Sequence, residues 1–127
     1  MMPHRNLAYR LLFDASWTGA RRFVFWSTVL LLIAGSLMPA AHIPDTGLSD
    51  KAGHLLGYAV LTLAGLLAYP QRAGWVLPGV FALGVAIELA QHLTPSRSFE
   101  WLDMLANGAG VLLGFALVWW LRRSLGD

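Results

Sequence analysis

The chain has 127 residues and a formal net charge of +2, with 57% hydrophobic and 13% charged residues. Soluble domains carry about 25% charged residues, and a small domain also needs a polar surface to cover its core. A soluble enzyme, a disordered tail and a nucleic-acid module are therefore excluded as first interpretations, despite a pI near 9.5. Cysteine is absent, which excludes disulfides and thiolate chemistry. The composition indicates an integral membrane protein.

The first 21 residues differ from the rest of the chain. Apolar residues recur there at helical spacing: Leu7, Ala8, Leu11, Leu12 and Ala15. The opposite side of such a helix would carry Asn6, Arg10 and Asp14. This pattern predicts a short amphipathic helix along the membrane surface. A frayed basic tail is the alternative.

Four apolar stretches follow, each able to span a bilayer, which takes about 20 largely apolar residues. They cover residues 22–38, 52–69, 74–93 and 104–121, with Pro39, Pro44, Pro70 and Pro95 between them. Because proline stops a helix, these positions mark the loops. The predicted fold is all-α, with a bundle of four transmembrane helices over residues 22–121. An N-terminal interfacial segment (1–21) precedes the bundle and a cytoplasmic tail (122–127) follows it.

Lysine and arginine are distributed unevenly between the two sides that these spans define. One side holds seven such residues: Arg5, Arg10, Arg21, Arg22, Arg72, Arg122 and Arg123. The other side holds only Lys51 and Arg97. Positive residues concentrate on the cytoplasmic side of a membrane. Both termini are therefore predicted to be cytoplasmic, with the first and third loops outside.

The polar residues of the spans fall on the predicted outer side. Residues three or four apart share a helix face, and three such groups occur: Asp50, Lys51, His54 and Tyr58; Glu88, Gln91 and His92; Asp103 and Asn107. Glu88 lies roughly 7 Å inside its predicted helix at 1.5 Å per residue. An ionisable group at such depth faces the bundle interior or a water-filled pocket. The spacing predicts one outward-opening pocket shared by three helices.

Structural roles are the alternative for each of these residues. Asp50 and Asp103 stand where a carboxylate can cap a helix and complement its dipole. Lys51 can extend to the interface, and Tyr58 can belong to the aromatic belt. His54 is compatible with hydrogen-bonded packing. These residues would then support the fold without forming a site.

Small residues recur on the second and fourth spans and predict how the two helices meet. They are Gly53 and Gly57 on the second span, and Ala106, Gly110 and Gly114 on the fourth. Small residues four apart let helix backbones approach closely within a membrane. We therefore expect the second and fourth spans to pack directly against each other.

The polar and small residues also form an ordered series: Asp50-Lys51-Ala52-Gly53-His54 with Tyr58, then Glu88, Gln91, Arg97, Asp103, Asn107, Gly110 and Gly114. This series resembles the VanZ-like family of small bacterial membrane proteins, over roughly residues 24–121. The resemblance implies a multi-pass protein of the bacterial inner membrane that works at its outer face, on or near envelope components. One family member is associated with low-level resistance to the glycopeptide teicoplanin, which this chain need not share.

One hypothesis is an enzyme acting on a lipid-linked or other anionic envelope substrate. Lys51 and Arg97 would hold a phosphate or carboxylate. Glu88 or Asp103 would be the general base and His54 the acid/base partner, and if Arg97 instead pairs with Glu88, both are structural. Further candidate substrate-binding residues are Asp50, Tyr58, Gln91 and Asn107. The sequence has no G-x-S-x-G motif and no cysteine, which favours direct attack by water or a hydroxyl group.

A binding or accessory protein is the second hypothesis, in which the same cations recognise an anionic headgroup or glycopeptide without turning it over. A third alternative is a metal site, with His54, Glu88, Asp103 and His92 as ligands. Because no H-E-x-x-H motif is present, we assign no metal and no cofactor. The expected partners are membrane lipids and an anionic envelope ligand, without nucleic acid. An oligomer is compatible with the sequence.

Overall fold

The computed structural model describes residues 6–38, 50–93 and 101–126. They form five α-helices: α1 (Leu7–Phe13), α2 (Thr18–Leu37), α3 (Asp50–Ala68), α4 (Ala73–His92) and α5 (Trp101–Gly126). A short 3₁₀ helix, Ala15–Trp17, precedes α2. No strand occurs within the described ranges. The predicted all-α fold is confirmed.

Helices α2 to α5 are each long and apolar enough to cross a membrane, with mean hydropathy between 1.4 and 1.7 for three of them and 1.3 for α3. α3 is the most enclosed, because 44% of its apolar window is buried, against 11% for the window that contains α2. Large side chains of α2, such as Phe23 and Leu31, are exposed on its outer face. Exposed apolar groups suit a lipid environment, and the chain is therefore a multi-pass membrane protein.

The predicted spans match these helices, and the differences lie at their ends. α2 begins at Thr18, so the boundary placed between residues 21 and 22 falls inside the helix. α5 extends beyond residues 104–121 at both ends. Hydropathy detects the apolar part of a helix, whereas backbone hydrogen bonding continues into the polar turns at either end.

The main helix contact of the bundle joins α3 to α5. Gly110 and Gly114 of α5 allow this approach. A methyl group at Gly110 would collide with the carbonyl oxygen of Leu55, and one at Gly114 would lie 2.6 Å from that of Ala59. No side chain fits where the backbones are this close. The predicted packing of the second span against the fourth is confirmed.

The part that was predicted for Gly53 and Gly57 in this contact is wrong. A methyl group at Gly53 would meet no described atom within 4 Å. At Gly57 it would lie 3.7 Å from a methyl carbon of Leu32, which belongs to α2. Both glycines therefore face away from α5. Their spacing identifies a helix face correctly but cannot identify the neighbour on that face.

The predicted short N-terminal helix is present as α1. The side chain of Asn6 caps it by accepting a hydrogen bond from the backbone N–H of Tyr9 at 2.8 Å. Leu12 and Phe13 pack against the hydrophobic core, while Leu7 is exposed. The helix is therefore attached to the bundle through one face, as its amphipathic pattern indicates.

Candidate functional site

Polar side chains gather where α3 and α5 begin and α4 ends. We call this group the polar cluster and define it by six residues: Lys51, His54, Tyr58, Glu88, Asp103 and Asn107. Lys51 and His54 are partly exposed, and the other four are buried. The ammonium group of Lys51 belongs to a side chain that is 38% exposed, whereas Glu88 is only 1% exposed. The cluster thus extends from the protein surface to a fully enclosed carboxylate.

α5 provides one wall of the polar cluster because its polar and small residues recur at helical spacing. Asp103, Asn107, Gly110 and Gly114 are separated by four, three and four residues, which places them on one helix face. All four are buried. Asp103 lies in the first turn of α5, where free backbone N–H groups favour a carboxylate. The glycines bring α3 close, and the polar side chains one turn away can then reach it.

Asp103 connects two side chains of α3. Lys51 donates from Nζ to Asp103 Oδ1 at 2.8 Å. His54 Nε2 lies 3.7 Å from the second carboxylate oxygen, Oδ2. The structure thus brings three of the predicted site residues together, two from α3 and one from α5.

His54 also contacts Asn107, one turn further along α5. The distance between His54 Nδ1 and Asn107 Oδ1 is 2.8 Å. An amide oxygen can only accept a hydrogen bond, so in this arrangement Nδ1 carries a proton and donates it. Nε2 is the ring nitrogen that points towards Asp103. Asn107 therefore orients the histidine ring.

Tyr58 and Glu88 are two of the four buried members of the polar cluster. The Tyr58 ring is parallel to that of His54, with centroids 6.4 Å apart. Gly84 of α4 makes room for this arrangement, since a methyl group there would lie 3.0 Å from both the Tyr58 ring and Asn107 Nδ2. Gly84 was not predicted from the sequence to belong to the site. A glycine four residues before Glu88 on one helix face is the signal that could have identified it.

Gln91 and His92 lie at the end of α4. Gln91 Nε2 donates to the backbone carbonyl oxygen of Ser36 at 2.6 Å. That carbonyl lies in the last turn of α2, where the helix leaves carbonyl groups without helical partners. Gln91 therefore links two helices, and His92 is exposed.

Two further predicted site residues are Asp50 and Arg97. Asp50 is the first residue of α3, but its side chain is not described. Arg97 lies outside the described residues. Their roles in ligand binding, and that of Arg97 as a counter-ion for Glu88, stay predictions.

The helices and their polar series match one known protein family. A model of the family described as VanZ/LLP1 matches residues 7–122. The chain belongs to the VanZ/LLP1 family. The resemblance to VanZ-like proteins is thereby confirmed, and the match includes the whole polar cluster. The comparison with curated proteins gives no match, and neither does the comparison with solved structures.

Three groups of this VanZ/LLP1 protein combine proton-transfer and cation-binding chemistry. One ligand atom each from His54, Glu88 and Asp103 can be chosen so that all lie within 4.8 Å of one another. Imidazole and carboxylate groups can exchange protons with a bound substrate. They are also ligands for divalent metal ions. Of the four residues considered as metal ligands from the sequence, the structure brings these three together.

Two cavities of this VanZ/LLP1 protein lie away from the polar cluster. One of about 540 Å³ lies between α2, α3 and α4, beside Phe25, Leu61 and Val80. The other, of about 390 Å³, lies near the end of α5 beside Phe115 and Arg122. An opening above the polar cluster therefore stays a prediction.

Proposed function

We propose that this VanZ/LLP1 protein works at the outer face of the bacterial inner membrane, where the polar cluster acts on an anionic envelope component such as a lipid-linked precursor. The proposal depends on one observation, a chain of side-chain contacts beside the buried Glu88: Lys51, Asp103, His54 and Asn107. Ionisable groups are costly within a membrane and are found mainly where function requires them. This favours a site over simple packing.

The groups of the polar cluster divide the work between binding and chemistry. Lys51 lies at the exposed edge, where its ammonium group can attract a phosphate or carboxylate. Arg97 is the second cation that the sequence offers for the same ligand. His54, Glu88 and Asp103 lie deeper, where acid and base groups can act on a headgroup held above them.

The orientation is the first part of the proposal to test. The seven-to-two distribution of positive residues favours cytoplasmic termini and an external polar cluster. Reporter fusions should therefore report a cytoplasmic location at both the N-terminus and the C-terminus. Reversing the charges of Arg72, Arg122 and Arg123 should disturb insertion. A terminus that reports an external location would contradict the proposal.

Binding can be measured with a defined probe, a short-chain polyprenyl phosphate added to the full-length protein in detergent. Lys51→Gln should weaken binding about 10-fold or more, since a hydrogen bond between charged groups contributes about 1.5–3 kcal/mol. Thr62→Val is the matched control, because Thr62 is a buried residue of α3 whose hydroxyl has no described partner. Neutral phosphatidylcholine should not compete. Equal affinities for Lys51→Gln and the parent would contradict the proposal.

Glu88→Gln separates an enzyme from a binding protein. The change replaces the ionisable carboxyl group by a neutral amide of the same shape, so the anionic probe should bind at least as well as to the parent. An enzyme should nevertheless lose its effect in cells, measured as envelope integrity and teicoplanin sensitivity against a deletion strain. Thermal stability in detergent provides the control for folding. A stable variant with an unaltered phenotype would remove Glu88 from the chemistry and favour an accessory binding protein.

The accessory function is the second candidate, and two contacts favour it. Lys51 pairs with Asp103 across α3 and α5, and Gln91 joins α4 to the Ser36 carbonyl of α2. Both contacts also hold helices together. An accessory protein would bind the probe through Lys51 and need no proton transfer by Glu88 or His54.

A further inference from the structure

We infer that His54, Glu88 and Asp103 bind a divalent metal ion, with Zn²⁺ or Mn²⁺ as the matching chemistry. The inference goes beyond the proposed function, because the metal would bind in the absence of any envelope ligand. It rests on the juxtaposition of three ligand-bearing side chains from three different helices, α3, α4 and α5.

The hydrogen bond to Asn107 prepares His54 as a ligand. Because Nδ1 donates to Asn107 Oδ1, the ring nitrogen that can bind a metal is Nε2, and it is directed towards Asp103 Oδ2. Metal-binding histidines generally donate their other ring N–H to an oxygen atom in this way, which fixes both the tautomer and the ring orientation. Asn107 is 2% exposed, so this support is held within the bundle.

Asp103 is oriented by the same kind of support. Lys51 occupies Oδ1 at 2.8 Å, and the other oxygen, Oδ2, faces His54. Two atoms that can each bind a metal, His54 Nε2 and Asp103 Oδ2, therefore lie 3.7 Å apart. One cation between them could bond to both. Hydrogen bonding of a ligating carboxylate by an outer partner is a usual feature of metal sites.

The spacing is compatible with one ion. Ligand atoms around a tetrahedral Zn²⁺ with bonds of about 2.1 Å are roughly 3.4 Å apart. The three groups lie within 4.8 Å of one another, so small side-chain rotations complete the site. Three protein ligands also leave a fourth position for water or a substrate oxygen, as in catalytic zinc sites.

The ligand type selects the class of metal. The candidate ligands are two carboxylates and one imidazole, which are ligands for divalent cations. One imidazole with two carboxylates suits Zn²⁺ or Mn²⁺, whereas Mg²⁺ and Ca²⁺ favour oxygen ligands alone. A site without thiolates does not select Cu(I).

The test is a titration of the full-length protein, purified in detergent and stripped with a chelator, with Zn²⁺ and separately with Mn²⁺. Calorimetry and elemental analysis should give one tightly bound ion per chain. His54→Gln and Glu88→Gln should each weaken binding about 100-fold, and Asn107→Ala about 10-fold, as expected for an outer partner. His92→Gln is the matched control, since His92 is exposed on α4 and lies outside the ligand set.

The measurement on the parent protein is sufficient to overturn the inference, even if the variants do not fold. Stoichiometric binding of Zn²⁺ or Mn²⁺ supports it. Co²⁺ can replace Zn²⁺ as a coloured probe, and absorption bands typical of nitrogen and oxygen ligands would support it as well. Failure of the parent to bind any of these ions overturns it, as does binding that is lost in His92→Gln but retained in Glu88→Gln. Polyprenyl phosphate binding measured with chelator present tests the proposed function separately, so the two can fail independently.

Discussion

The two ends of the bundle use their charged side chains in different ways. At the end where both described termini lie, Arg21 donates from Nε to Leu67 O at 2.9 Å. Its Nη1 donates to Leu11 O at 3.0 Å and to Asp14 O at 2.8 Å. Arg21 thus joins α1, α2 and α3 through backbone oxygens. At the opposite end, the polar cluster connects side chains to side chains, as in the contact of Lys51 with Asp103.

Arg22 repeats the pattern of the terminal end. Its Nε donates to Ala68 O at 3.3 Å, and its guanidinium group lies 4.5 Å above the ring of Tyr69. The carbonyls of Leu67 and Ala68 close α3, where a helix leaves its last acceptors without partners. Both arginines therefore complete a helix terminus, which is a structural task.

The proposed functional cluster therefore differs from the structural charges in the partners of its side chains. A side chain that satisfies a helix end has its hydrogen-bonding groups occupied by backbone. Groups that contact each other, as His54, Asp103 and Asn107 do, can change partners when a ligand or proton arrives. The partners of a buried polar residue are therefore more informative than its burial alone.

The largest effect should follow from separating α3 and α5 beneath the polar cluster. Gly110→Leu places a side chain against the Leu55 carbonyl and the Tyr58 Cβ, so α5 must move away. We expect a loss of roughly 3 kcal/mol or more in stability, at the upper end of overpacking effects. The Lys51–Asp103 contact should break as well. The measurement is the yield and thermal stability of the folded protein in detergent.

Gly53→Leu is the matched control for that experiment. It makes the same chemical change in a transmembrane helix, but at a position where no described atom lies within 4 Å. It should leave stability nearly unchanged. Equal losses in Gly53→Leu and Gly110→Leu would show that the effect comes from the loss of glycine and not from the helix contact.

The sequence alone was sufficient to predict the four spans and the residues on the α5 side of the polar cluster. An apolar stretch of about 20 residues spans a bilayer as an α-helix, because its backbone groups must form hydrogen bonds within the segment. The spacing of Asp103, Asn107, Gly110 and Gly114 defines one buried face, and the structure buries all four. The approach of His54 to this face followed from the same reasoning, because ionisable groups avoid lipid.

Partners across helices could not be predicted, since spacing within one helix carries no information about its rotation relative to another. Gly57 faces Leu32 of α2, although its four-residue spacing from Gly53 had predicted a contact with α5. Gln91 fits the pattern of a site residue but binds the backbone of Ser36. The capping role of Arg21 was missed for a related reason: its charge explained the topology, and its backbone partners lie far away in sequence.

A smaller effect should follow at the terminal end from Arg21→Lys. Lysine keeps the charge that supports the topology, but its single ammonium group cannot reproduce the directed bonds to Leu67, Leu11 and Asp14. We expect a loss of about 1.5–3 kcal/mol in stability, the usual range for hydrogen bonds to charged groups. Chemical denaturation in detergent provides the measurement.

Arg10→Lys is the control for the terminal end, because Arg10 is an exposed arginine of α1. It should change stability little. Phosphate-probe binding should be retained in both variants, since neither residue lies in the polar cluster. Weakened probe binding in a stably folded Arg21→Lys protein would contradict the division between a structural end and the proposed functional end.

The smallest effect concerns Asp14, which shows that the terminal end also contains a pH-sensitive contact. The backbone N–H and the hydroxyl of Ser16 donate to its carboxylate at 3.0 and 2.9 Å, and these bonds lower the pKa of the Asp14 carboxyl. A carboxyl whose pKa is lower in the folded state stabilises the fold fully above its unfolded pKa of about 3.9. That contribution is lost as the pH falls through the folded-state pKa. Asp14→Asn keeps an acceptor oxygen without the charge, so it should exchange the Ser16 amide hydrogen faster than the parent at neutral pH. The two proteins should converge in strong acid, after correction for intrinsic exchange rates. A difference that persisted there would assign the contact to shape and not to charge.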